Sequence, residues 1–196
     1  MMEGVQNADW FVEWSRFKSG DMDSFRRIYD HFFDRLYRYG CKLTASTELV
    51  EDSIQELFLS LYTRRENLAE TVSVEFYLLK ALKLIIYGKL RKEKRLVFNR
   101  GDGDNFKLEF LLETDEPEDL DQCRVELIMK SLGELNPAAR EIIYLKFYSD
   151  LDYRQIGEML GIQPDSAKKQ VYRIVSSLRV LLKDTPLELL YICFRA

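Results

Sequence analysis

Lys168, Lys169 and Tyr172 recur at spacings that place them on one side of a helix with Asp165 and Ser176, while Ala167, Val171, Ile174 and Leu178 share the other side. A short helix with an apolar back and a front of lysine, tyrosine and serine suits the DNA major groove, where base edges offer acceptors and phosphates lie on either flank. The chemistry implied is recognition, not bond making. A solvated helical hairpin is the competing reading.

Two further groups have the spacing of functional surfaces. Asp52, Gln55, Glu56 and Leu59 fall together at i, i+3, i+4 and i+7, opposite a core stripe of Val50, Ile54, Leu57 and Leu61. Three acceptor-rich side chains around an outward leucine form a docking patch for a basic partner helix, with an ordinary solvated face as the alternative. Phe76, Tyr77, Lys80, Lys83, Tyr87 and Arg91 share one side of the next helical stretch. Rings that stack on unpaired bases, interleaved with cations that hold phosphates, suit single-stranded nucleic acid. The stretch ends in the basic patch Arg91, Lys92, Lys94 and Arg95, which could also grip a duplex backbone. The alternative is a core helix whose aromatics are buried and whose basic end complements its own dipole.

Catalysis is poorly supported, and no catalytic residue, metal site or cofactor is expected. His31 is the sole histidine, and Cys41, Cys123 and Cys193 are scattered, so neither a catalytic dyad nor a zinc site forms by spacing. No glycine-rich phosphate loop occurs, and Asp102 and Asp104 lack the spacing of a calcium loop. The cysteines read as buried thiols in a reducing cytoplasm.

These surfaces need helices to carry them. Four prolines, nine glycines and long apolar periodicities in 196 residues argue for an all-α fold. Helices are predicted over about 9–18, 22–43, 47–63 and 73–96, the second carrying Phe25, Ile28, Tyr29, Phe32, Leu36, Tyr39 and Leu43 on one stripe. After a break come helices over about 122–133 and from Asn136-Pro137 to about Tyr148. Asp152 and Gln155 form a capping box for the next short helix, Ile156, Met159 and Leu160 give it an apolar side, Gly161 falls at its left-handed C-cap, and Pro164 opens the helix with the lysine front. Pro186 opens a last apolar segment, Leu187 to Phe194, to which no role is assigned.

A hydrophobic content of 46% suffices for packed cores. The net charge of −4 is segregated: residues 101–122 carry nine acids and one base, whereas residues 80–100 carry eight bases and one acid. Local field matters more to a polyanion than the total does. The acidic stretch, with the breakers Arg100 to Asn105 and Pro117, marks the domain boundary. The expected organisation is two small helical domains, 1–98 and 122–184, an acidic linker over 99–121, part of which (Phe106 to Leu112) could dock on a neighbour, and an apolar tail over 185–196. Met1 to Trp10 is neither basic nor apolar, and no run of about 18 apolar residues exists, so neither a signal peptide nor a membrane span is expected.

Together these pieces resemble a bacterial RNA polymerase sigma factor of the extracytoplasmic-function group in the sigma-70 family. Val50 to Phe58 (VEDSIQELF) looks like the region 2.2 pattern, acid-Asp-x-x-Gln-Glu-x-Phe; Tyr77 stands at a frequent tryptophan of region 2.3, and Leu90 to Arg95 resembles the basic end of region 2.4. Leu135 to Leu145 (LNPAAREIIYL) looks like the start of region 4, and Tyr153 to Arg173 like its helix-turn-helix. Where Leu84 and Gly88 stand, many relatives carry asparagine and aspartate, a departure common in the Bacteroidetes branch.

The resemblance implies a cytoplasmic sigma factor that docks on the beta-prime clamp helices of core RNA polymerase through Asp52, Gln55 and Glu56. It implies minus-ten recognition by the aromatic and basic helix. It also implies minus-thirty-five contacts by Ser166, Lys168, Lys169, Tyr172 and Arg173, a linker running through the RNA-exit region, and an anti-sigma partner. A stand-alone helix-turn-helix regulator is the main alternative, and a helical enzyme or ligand sensor a remoter one.

Overall fold

A computed structural model of the chain describes residues 3–70, 73–96 and 130–182. Among the described residues every regular element is helical: α1 Glu3–Lys18, α2 Met22–Leu43, α3 Thr47–Arg64, a single 3₁₀ turn at Arg65–Asn67, α4 Val74–Leu96, α5 Pro137–Phe147, α6 Tyr153–Leu160 and α7 Pro164–Leu182. The chain divides into two compact units, residues 1–103 and 104–196. The expected linker segment 106–112, most of the helix expected over 122–133 and the apolar tail lie outside the described residues; residues 130–133 are helical.

Local chemistry starts these helices. The Asp21 carboxylate accepts from the backbone N–H groups of Asp23 and Ser24, the Ser46 hydroxyl from that of Leu49, and Asn136 from that of Ala139, each satisfying donors that a helix start leaves open. The Ser73 hydroxyl does the same for Phe76 at the start of α4 (3.2 Å). α1 begins at Glu3, six residues before its expected start, running through Gly4 and Asn7.

In the first unit α2 packs on α1, α3 and α4, and α3 packs on α4. Ile28, Phe32, Leu36 and Tyr39 of α2 meet Val50, Ile54, Leu57 and Leu61 of α3 and Leu78, Leu79, Leu82 and Ile86 of α4, all buried. Each such side chain contributes roughly 1.5–3 kcal/mol by leaving water. Gly40 sets the approach of α2 to α3: a Cβ there would lie 2.6 Å from Val50 Cγ1. Phe25 and Tyr29, expected in the core stripe, are half-buried at its edge against Phe58. Cys41 is half-buried, not buried. α1 is fastened across the bundle by Trp14, fully buried, whose indole N–H donates to the Ala69 carbonyl (3.1 Å), and by Lys18 paired with Glu70 at 2.6 Å.

The second unit packs α5 and α6 against α7. Ile142, Ile143, Leu145, Ile156, Met159, Ala167, Val171 and Ile174 are buried. Arg140 donates to the carbonyls of Leu135 (2.7 Å) and Gly133 (2.6 Å), capping the helical turn that precedes α5.

Candidate functional site

The second unit presents a helix-turn-helix. Asp152 accepts from the Gln155 N–H (2.7 Å) while the Gln155 side chain accepts from the Asp152 N–H (2.9 Å), a complete capping box that fixes the start of α6. Gly161 ends α6 at φ 68°, in the left-handed region, and Pro164 stands at the first position of α7. Gly157, absent from the sequence-based site, makes the tight turn possible: a Cβ there would lie 2.7 Å from the Ile162 carbonyl oxygen. With Ala167, Val171 and Ile174 held inward, Ser166, Lys168, Lys169, Tyr172 and Arg173 are all exposed. Tyr172 is 58% exposed, with the Lys168 ammonium 6.0 Å from its ring centroid. The helix thus offers cations, hydroxyls and an aromatic face outward on a rigid support.

In the first unit α3 is sorted just as sharply. Val50, Ile54, Leu57 and Leu61 are buried, and Asp52, Gln55, Glu56 and Leu59 are exposed, Leu59 at 67%. Two neighbours of this patch were not read from the sequence. Tyr62, one turn beyond Leu59, is also an exposed large apolar residue. Lys89 of α4 pairs with Glu56 at 3.2 Å. The Tyr62 position follows from helical spacing, whereas the Lys89 pair depends on how α4 packs against α3.

α4 divides its aromatic and basic side chains unequally. Phe76, Tyr77, Lys80, Lys83 and Tyr87 are half-buried and Arg91 and Lys92 exposed. Tyr77 turns onto Trp14, with ring centroids 5.2 Å apart. Lys80 lies 5.8 Å from the Phe76 ring centroid and Lys83 5.5 Å from that of Tyr87, so cations and rings alternate along the helix. Leu84, which sequence reasoning left out of the site, stands in this face at 64% exposure. The side chains of Lys94 and Arg95 lie outside the described residues.

No group of three or more His, Cys, Asp or Glu among the described residues is arranged to hold a metal ion, and no described helix is long and apolar enough to cross a membrane. His31 stacks on Trp10 with ring centroids 4.2 Å apart. Burial, followed by the Arg35 guanidinium, lowers its pKa below the ordinary value.

Residues 28–96, which hold α3 and α4, match the family description "Sigma-70 region 2", and residues 126–178, which hold α5, α6 and most of α7, match "Sigma-70, region 4". The chain belongs to the sigma-70 family. Its role is that of a sigma factor, directing promoter-specific initiation of transcription. This sigma factor is similar to the ECF RNA polymerase sigma factor SigW of Bacillus subtilis, at 25% identity over 85% of this chain and 93% of that one. It is also similar to RNA polymerase sigma factor SigV of the same organism, at 28% identity over 79% and 88%, and to RNA polymerase sigma factor CarQ of Myxococcus xanthus, at 23% over 88% and 97%. Among solved structures, the sigma factor RpoE in complex with the anti-sigma factor NepR from Bartonella quintana shares the fold, with a TM-score of 0.55 and 20% identity over 83% of this chain and 98% of that one.

Proposed function

We propose that Asp52, Gln55, Glu56 and Leu59 dock this sigma factor on core RNA polymerase at the beta-prime clamp helices. Phe76, Tyr77, Lys80, Lys83, Tyr87, Arg91, Lys92, Lys94 and Arg95 help open and hold the minus-ten element. Ser166, Lys168, Lys169, Tyr172 and Arg173 contact the minus-thirty-five element. Residues 1–98 act as the docking and melting domain, 99–121 as an acidic linker, and 122–184 as the duplex-reading domain. The protein works in the cytoplasm and performs no bond chemistry; the polymerase does. An anti-sigma partner holds it off by covering the same faces. The Leu84 and Gly88 departures support a Bacteroidetes-like origin.

The observation that carries the docking assignment is Leu59. It is a 67% exposed leucine ringed by Asp52, Gln55 and Glu56 on a helix whose opposite side is buried. An apolar centre with an acidic rim is the complement of a basic amphipathic helix. The test is a pull-down with purified core RNA polymerase, comparing wild type with Gln55→Ala/Glu56→Ala. Wild-type capture that is lost in the double variant is expected. A folded, monomeric wild type that captures no polymerase would point to a stand-alone DNA-binding regulator and return the patch to solvent.

A further inference from the structure

One acid of the α3 patch already holds a cation. The Lys89 ammonium of α4 stands 3.2 Å from Glu56 Oε2, with the lysine side chain 27% exposed and the glutamate 57%. Lys89 does not share the face of Lys80, Lys83 and Arg91. It follows the buried Leu78, Leu82 and Ile86 at helical spacing, so it stands on the core side of α4 and its charge emerges toward α3. Glu56 in turn follows the buried Leu49 and Ser53 at helical spacing, which puts it on the flank of the patch nearest α4. The pair therefore joins the two helices at the rim of the surface around Leu59. A basic partner helix that reaches Glu56 meets an ammonium already there. It must displace Lys89 or share the carboxylate with it, and sharing brings two like charges well inside the Debye length of roughly 8 Å at physiological salt. An ion pair this exposed is weak enough to exchange partners.

We infer that Lys89 is an internal competitor for Glu56 that holds down the affinity of this sigma factor for core RNA polymerase. The free protein occupies part of its own docking patch, and a partner engages Glu56 only against that lysine. Lys89 acts through Glu56 and not by touching polymerase. The inference rests on the proposal that the α3 patch docks on polymerase.

The experiment measures equilibrium binding of the full chain to purified core RNA polymerase at low and at physiological salt. Wild type is compared with Lys89→Gln, Glu56→Gln and the double variant, with circular dichroism recording that each folds. Lys89→Gln should tighten binding about threefold, the scale of one exposed ion pair. Lys89→Met, which keeps an apolar stem on the core side of α4, should do the same, and Lys89→Arg should show no gain. The gain should vanish in the Glu56→Gln background and shrink as salt rises. Lys89→Gln and Lys89→Met that leave the affinity unchanged or weaken it, while Glu56→Gln weakens it, would overturn the competitor's role alone. An equal gain with and without the Glu56 carboxylate would do so too, since the lysine would then act by general repulsion. Wild type that binds no polymerase, or is indifferent to both Glu56→Gln and Gln55→Ala/Glu56→Ala, would overturn the docking reading and the inference with it.

Discussion

His31 shows how ring packing links one residue to pH. The residue remains exposed, but its ring stacks on Trp10 and meets Phe32 edge-on, and the desolvation this brings, then Arg35, lowers its pKa from the ordinary 6.5. The unfolded chain therefore takes up a proton at a higher pH than the folded one. The stability contributed by the neutral imidazole is full above pH 6.5 and is lost as pH falls through the lowered folded value. Urea midpoints followed by circular dichroism should fall between pH 7 and pH 5 more steeply in wild type than in His31→Gln; parallel curves would remove His31 as the source. On α7, Lys168→Ala/Lys169→Ala should lower by about 2 the steepness with which holoenzyme affinity for promoter duplex falls with log salt concentration. An unchanged slope would take both lysines off the phosphates.

At the scale of elements, the helix-turn-helix depends on a close approach. Gly157→Ala would drive a methyl into the Ile162 carbonyl, so the turn must open. The cost should be about 1–3 kcal/mol of second-unit stability, read as a lowered melting temperature, together with weakened duplex binding. A melt indistinguishable from wild type would show that the turn yields freely. The boundaries of α6 were legible in the sequence because their causes are local: Asp152, Gln155, Gly161 and Pro164 act within a turn of where they stand. Gly157 was missed because its need arises only when Ile162 folds back over it. The exposed faces of α3 and α7 were legible for the same reason of period, apolar on one side and polar on the other. The α4 face was read less completely: its rings and cations recur at helical spacing, but that Tyr77 turns inward onto Trp14 while Leu84 stays outward is decided by how α1 and α2 cover the helix. Pairs such as Glu56 with Lys89 and Glu13 with Arg27 join separate helices and leave no mark on either one alone.

Over the whole molecule, charge is arranged by segment. Residues 101–122 carry nine acids beside the basic run that ends α4, so the free chain, at net −4, combines strong local attraction for nucleic acid with overall repulsion. Replacing those nine acids by their amides should raise the affinity of the free protein for random-sequence DNA by at least tenfold at low salt, measured by filter binding, with the gain fading as salt rises. An unchanged affinity would leave the stretch electrostatically idle. The placement of α1 has a different consequence. The two tryptophans of the chain, Trp10 and Trp14, both lie on this helix, one stacked on an imidazole and the other sealed in the core. Indole emission from the native sequence is therefore an optical channel private to the first unit. The second unit is dark in it, so a change of surroundings at α1 alters the emission of the free protein, whereas an event confined to the second unit leaves it unchanged.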